Sequence, residues 1–154
     1  MKGQEIPLPE LTFRDVAAGS ALHLQALALR HRIFFQPFGV PLEKVPDPQE
    51  EKSLHLVVVF GAMAIACGRL TGDEGAAQIS QLVVEPGFQK RGLGSELLRR
   101  LVARAGELGA TSVYLNARLP LVPFYLRFGF SAVGDVFPSG KTGLPHQRME
   151  RRLP

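Results

Sequence analysis

The chain has 154 residues, 45% of them apolar and 21% charged, with a net charge of +4 at pH 7 and one cysteine. That length fits a single domain, residues 1–154, with one sizeable core. The lone Cys67 excludes a disulfide framework and the usual cysteine-based zinc sites; no apolar run is long enough to span a bilayer, and the opening MKGQEIPLPE lacks an apolar signal core, so cytoplasmic residence is expected.

In chain order, Leu11–Arg14 reads as a first strand. Residues 20–35 read as a helix, with Ser20 as N-cap and Leu22, Ala26, Leu29 and Ile33 at helical spacing. Gly39, Pro41, Pro46 and Pro48 make residues 36–53 mostly loop, with room for one helical turn. His55–Phe60 and Ala62–Leu70 form a hairpin around Gly61. After a turn at Gly72-Asp73-Glu74-Gly75, Ala77–Val84 is a further strand, ended by Pro86 and Gly87.

A convincing helix follows. Leu93, Leu97, Leu98, Leu101, Val102, Ala105 and Leu108 share one stripe, and Gly109 sits at the C-terminal cap. Ser112–Ala117 is a strand, Leu121–Phe128 a short helix closed by Gly129, and Val133–Phe137 with Gln147–Leu153 a last strand pair. The strand–helix–strand unit over residues 77–117 predicts a parallel crossover inside an otherwise hairpin-connected sheet.

The turn EPGFQKRGLGSELL, residues 85–98, carries the chemistry. Gly92 and Gly94 let backbone approach a ligand closely, and the first N–H groups of the helix have no partner within it. Those donors, at the positive end of the helix, favour an anion, and Lys90, Arg91 and Ser95 add charge and a hydroxyl. The turn lacks the Walker pattern and the dinucleotide-fold pattern. A bare G-x-G at a helix entrance would by itself be an ordinary solvated turn.

Gln89-Lys90-Arg91-Gly92-Leu93-Gly94 is a Q-x-x-G-x-G turn, preceded by Val84-Glu85-Pro86. It resembles the acetyl-CoA-binding signature of the GNAT N-acetyltransferases. Asn116-Ala117 and Phe124-Tyr125-Leu126-Arg127-Phe128-Gly129-Phe130 resemble that family's downstream segment. Arg30-His31-Arg32-Ile33-Phe34 with Gly39-Val40-Pro41, and Gly143-Leu144-Pro145-His146, are similar to its bacterial ElaA/YjcF-like branch. Pro37 and Phe38 stand where that branch often carries an acidic residue and a glutamine.

The resemblance implies the acyl-CoA N-acyltransferase fold, an α/β (α+β) mixed, mostly antiparallel sheet of about seven strands flanked by about four helices. It implies acetyl-CoA as acyl donor, with Gln89, Lys90, Arg91, Gly92, Leu93, Gly94 and Ser95 around the diphosphate and Leu82, Val83 and Val84 offering main-chain groups to the pantetheine. The strand at 112–117 would splay away to leave a V-shaped cleft. An amine would attack the thioester directly in a ternary complex, and a strand N–H would stabilise the oxyanion.

Tyr125 is then the expected proton donor to the leaving thiolate, although its spacing alone fits core packing beside Phe124 and Phe128. Asn116 would bind the pantetheine or a water, or else end its strand with a hydrogen bond. Glu85 reads as a surface loop residue, and His146 is the better base candidate, or else a structural or substrate-binding histidine, placed near Asn116 and Tyr125 if the last strand runs antiparallel to 112–117.

His23, His31 and His55 show no metal-ligand spacing, so no metal is expected. Arg99, Arg100 and Arg104 read as a solvated helix face. The basic residues are scattered along the chain, so neither nucleic acid nor membrane is an expected partner. Exposed sheet edges leave room for a homodimer. A non-catalytic acyl-CoA-binding or sensor module is the alternative to an N-acetyltransferase, because no base stands out. The acceptor amine is not encoded in any motif.

Overall fold

The computed structural model describes residues 10–72 and 75–154. Asp73 and Glu74 of the expected turn, and most of the N-terminal segment, lie outside the described residues. The chain runs β1 (Thr12–Val16), α1 (Ala21–Arg30), β2 (Leu54–Phe60), β3 (Met63–Gly72), β4 (Ala76–Val84), α2 (Leu93–Glu107), β5 (Ser112–Arg118), α3 (Val122–Leu126), β6 (Ser131–Ala132), β7 (Phe137–Pro138) and β8 (Pro145–Arg152). One eight-stranded sheet has the order β1-β2-β3-β4-β5-β8-β6, with β7 also on β8. Every pairing is antiparallel except β4–β5, the parallel crossover anticipated around α2.

The central strands are buried on both faces, which is why β2 reads as a nearly continuous apolar run rather than an alternation. Val57, Val59, Cys67 and Val83 meet Ala26 and Leu29 of α1. On the other face, Leu56, Val58, Ile65, Ile79, Val113 and Leu115 meet Leu97, Leu98 and Leu101 of α2. The α2 stripe packs as its spacing predicts, except Leu108, which caps the helix and is exposed. Gly109 follows at φ +93°, with Ala110 N–H on Ala105 O and Gly109 N–H on Gly106 O. That paired pattern closes the last turn around a left-handed residue. Ser20 caps α1 by accepting from His23 N–H.

Three expectations need correction. The helix over 20–35 is α-helical only to Arg30; His31–Phe35 form a wider π turn, closed by Gln36 N–H on His31 O. The segment over 36–53 holds three short 3₁₀ turns rather than one. Val133–Phe137 is not a strand: two-residue β6 and β7 flank a bend at Gly134, whose φ of +75° breaks the extended run. The sheet therefore has eight strands and the chain three α-helices, against about seven and about four. No helix among the described residues is long and apolar enough to cross a membrane.

A buried ionic cluster ties the 36–53 segment to the sheet. Glu50 receives Arg30 Nη2 at 3.1 Å, Arg69 Nη1 at 2.8 Å and His23 Nε2 at 3.1 Å. His55 Nε2 donates to the Glu50 carbonyl at 2.7 Å. Arg69 also holds Asp47 through two bonds of 2.9 and 3.0 Å and Ser80 Oγ at 2.9 Å. Burial works to raise the Glu50 carboxyl, but hydrogen bonds and charges from Arg30, His23 and Arg69 override it and hold it at about 2, against an ordinary 4.5. Burial also pushes His55 below its ordinary 6.5.

Both shifts have the same consequence for stability. The unfolded chain takes up protons that the folded chain refuses, so stability present at neutral pH is lost as pH falls. The loss begins below about 6.5 with His55 and steepens between pH 4.5 and about 2, where Glu50 contributes on the order of 3 kcal/mol. Urea unfolding at pH 7 and pH 3.5 checks this. Glu50→Gln should cost about 3–5 kcal/mol at pH 7, because the buried Arg30 guanidinium loses its counter-ion and Arg69 loses one of two carboxylate partners, and should flatten the acid limb. An unchanged acid limb in that variant contradicts the assignment.

Candidate active site

The two parallel strands part company early. β4 and β5 pair only through Ala76–Ser112, Ala77–Val113 and Gln78–Tyr114. From Ile79 to Val84 the β4 edge that faces β5 has no strand partner, although its other edge stays on β3. The divergence coincides with a bulge: between Cys67–Val83 and Arg69–Ser80, β4 carries one more residue than β3. Gln81 sits there at φ +56°, a left-handed conformation that a non-glycine residue adopts at a cost of about 1 kcal/mol or more. Gly68 faces the bulge from β3. A Cβ on it would lie 2.7 Å from Leu101 Cδ1 and 3.0 Å from Leu82 Cδ1. The missing side chain is what lets the bulge and α2 share that space.

The turn after β4 has the predicted character. Lys90 and Gly92 both take positive φ, +64° and +79°, and α2 begins at Leu93 with no side chain capping it. Among the described residues nothing accepts from the first amides, those of Leu93, Gly94 and Ser95. Gln89 folds back to donate to Val84 O at 3.0 Å, bracing the turn on β4. Arg91 lies over the Phe88 ring at 5.7 Å, and its Nη1 is buried without a hydrogen-bond partner. Free helix-opening amides, an orphaned guanidinium nitrogen and a glycine with open space where a Cβ would stand fit a diphosphate.

A cavity of about 430 Å³ fills the opened V. Tyr125, Asn116 and His146 all line it. Tyr125 comes from α3; its ring is edge-on to Phe124 and Phe130, and burial pushes its phenol up to about 12. His146 arrives opposite Arg118 because β8 runs antiparallel to β5, as anticipated. Its Nδ1 is 2.9 Å from Leu144 O. A carbonyl only accepts, so Nδ1 carries the proton and Nε2 keeps a lone pair. Asn116 shares a β5 face with Tyr114 and Arg118, whereas Leu115 and Ala117 point into the α2-side core.

Leu82 lines the cavity, but Val83 and Val84 continue along β4 away from it, toward the turn. Residues 89–95 lie beyond the cavity, at the start of α2. The candidate residues thus fall into two groups joined by β4. Glu85 is engaged by Arg32 in a rim ion pair at 2.9 Å, in keeping with a loop residue. Arg99 and Arg100 bond Glu96, and Arg104 reaches Asp15, so all three are spent on surface pairs.

Several cavity residues were not among the predicted site residues. Phe34 and Phe35 enter from the π turn, Asp47 and Gln49 from the loop after it, and Arg118 and Lys141 from β5 and the 138–145 loop. A π turn inside a helix is a frequent marker of a functional site, but its register is invisible to a 3.6-residue pattern. The structure also brings His23, Glu50 and His55 together, with donor atoms within 4.8 Å of one another, which sequence spacing did not suggest. His23 Nδ1 accepts Gly19 N–H, and Glu50 holds two guanidiniums that a metal would have to displace.

A splayed parallel pair, a bulge beside it and an open helix N-terminus define an acyl-CoA N-acyltransferase fold. The sequence profile of the acetyltransferase (GNAT) family matches residues 24–130. The chain belongs to that family, and it is an N-acetyltransferase of the GNAT type. It is 28% identical over 124 residues to the uncharacterized N-acetyltransferase YjcF of Bacillus subtilis, covering 80% of this chain and 88% of that one. An acyl-CoA N-acyltransferase from Pseudomonas aeruginosa is 27% identical, with a TM-score of 0.79 over 92% of this chain and 99% of that one. Escherichia coli ElaA, 22% identical, shares the fold with a TM-score of 0.78 over 92% and 99%.

The space beside the bulge yields a direct test. Gly68→Val would drive methyl groups into Leu101 and Leu82 and should destabilise the fold by about 1–3 kcal/mol. Urea denaturation measures it. A variant as stable as the parent would show that Gly68 does not shape the bulge.

Proposed function

We propose that residues 1–154 act as one catalytic domain that moves an acetyl group from acetyl-CoA to a primary amine by direct attack in a ternary complex. The observation that carries this is the opened β4–β5 pair, which has Tyr125 and His146 on one cavity and the uncapped start of α2 at the other end. Gln89, Lys90, Arg91, Gly92, Leu93, Gly94 and Ser95 hold the diphosphate. The free β4 edge of Leu82, Val83 and Val84 hydrogen-bonds the pantetheine amides in place of the missing strand, which satisfies both partners. Asn116 binds the pantetheine or a water at the cavity wall.

His146 Nε2 takes the proton that the attacking ammonium must shed, while Nδ1–H on Leu144 O fixes the tautomer. A β4 main-chain N–H stabilises the oxyanion of the tetrahedral intermediate. Tyr125 then donates to the departing thiolate. With its phenol at about 12, it stays protonated throughout the neutral range. Burial raises a thiol in the same way: it lifts Cys67 to about 12 in this protein. A leaving thiolate desolvated to the same degree would be basic enough for a phenol to serve it. The acceptor is a small-molecule or peptide amine. Cytoplasmic residence suits a chain whose one cysteine is buried and free.

Thiol release from acetyl-CoA across an amine panel tests the reaction. Tyr125→Phe should lower turnover by about 10²–10⁴ and leave acetyl-CoA affinity within about twofold. His146→Gln should depress turnover at neutral pH with the same affinity for the donor. Full activity in Tyr125→Phe removes the acid role. Tight acetyl-CoA binding without turnover on any amine would mark a non-catalytic acyl-CoA-binding module instead.

A further inference from the structure

The cavity carries an uneven charge. The charged side chains that line it are Asp47, Arg69, Arg118 and Lys141, one carboxylate against three cations. Asp47 is already spent, held by both terminal nitrogens of Arg69 at 2.9 and 3.0 Å. Glu50, just behind, is consumed by Arg30 and the same Arg69. Two positive charges are left over. Arg118 makes no hydrogen bond or ion pair with any described residue and lies over the Phe34 ring at 5.0 Å. Lys141 Nζ donates to the carbonyls of Lys44 and Val45 at 2.8 and 3.2 Å and sits 5.1 Å from the Phe35 ring, with no carboxylate on it.

Both cations are held in place by aromatic rings of the π turn rather than left to wander in solvent. Burial pushes the Arg118 and Lys141 pKa values down, as expected for charges that lack a full counter-ion. A guanidinium with open donors on a cavity wall is suited to a planar two-oxygen anion. A polycationic acceptor would meet like charge here and find no free carboxylate.

We propose that the acceptor amine also bears an anionic group, a carboxylate or a phosphate, received by Arg118 with Lys141 beside it. This deepens the transfer reaction proposed above and rests on it. It sets the substrate class apart from polyamines and amino sugars rich in ammonium groups.

A matched series tests it: 4-aminobutyrate, 3-aminopropylphosphonate, n-butylamine and putrescine, each assayed for acetyl transfer with the parent, Arg118→Gln and Arg118→Lys. The two anionic amines should exceed the other two by about tenfold or more in kcat/KM, the value of one charge-assisted bond. Carboxylate and phosphonate arms show which anion the site takes. Arg118→Gln should raise KM for the anionic amines by a similar factor without moving KM for acetyl-CoA, and Arg118→Lys should restore part of the preference.

Equal or better use of n-butylamine or putrescine overturns the inference while the acetyl-transfer reading stands. If acetyl-CoA binds but none of the four amines is acetylated, the reaction fails for this class. Calorimetric titration of 4-aminobutyrate and putrescine into the CoA complex then decides the charge question alone. Selective uptake of 4-aminobutyrate that Arg118→Gln abolishes supports the inference; no selectivity overturns it.

Discussion

Everything in this active site follows from two parallel strands that stop pairing after three residues. A sheet normally keeps its edges satisfied, because each unpaired buried amide or carbonyl is costly. Here the bulge at Gln81 turns β4 while β5 stays bound to β8, and the gap opens between them. The strained Gln81 and the bare Gly68 are the local devices that hold it open. A ligand rich in amides is the natural occupant of such an edge, and the same strand leads it to the amides that open α2. In the proposed reading, fold and donor binding would share one structural cause.

The other half of the site depends on the buried cluster around Glu50. Loops are ordinarily the mobile part of a domain, yet this one is anchored by charges taken fully out of water. Arg69 links the two roles. It neutralises Glu50 in the interior and presents Asp47 at the cavity wall with its charge already matched. The π turn after Arg30 adds Phe34 and Phe35, which steady Arg118 and Lys141. In the proposed acceptor site, recognition would draw on side chains that arrive from separate parts of the chain, on a frame that acid should dismantle.

What could be read from the sequence follows from how local each signal is. The stripe of α2, the Q-x-x-G-x-G turn and Tyr125 after Phe124 lie within one stretch, and the structure puts each, Leu108 apart, on the element the pattern predicts. His146 was reachable because antiparallel pairing of β8 with β5 fixes where β8 starts. Arg30, Asp47, Glu50 and Arg69 were not, since their partners are 19 or more residues away and a buried arginine looks like a surface one until its carboxylate is found. Residues 133–137 misled because Val133 and Val136 favour strands, while both are exposed and Gly134 turns the chain between them.

In our proposal the free edge of β4 and the first amides of α2 bind the acyl donor as one continuous surface. Hydrogen–deuterium exchange with and without saturating acetyl-CoA tests it most directly. Slowed exchange at Leu82–Val84 together with Leu93–Ser95, with little change in β1 and β2, is the predicted result. Acetyl-CoA that binds without protecting either segment, or that protects only one of them, would contradict the account.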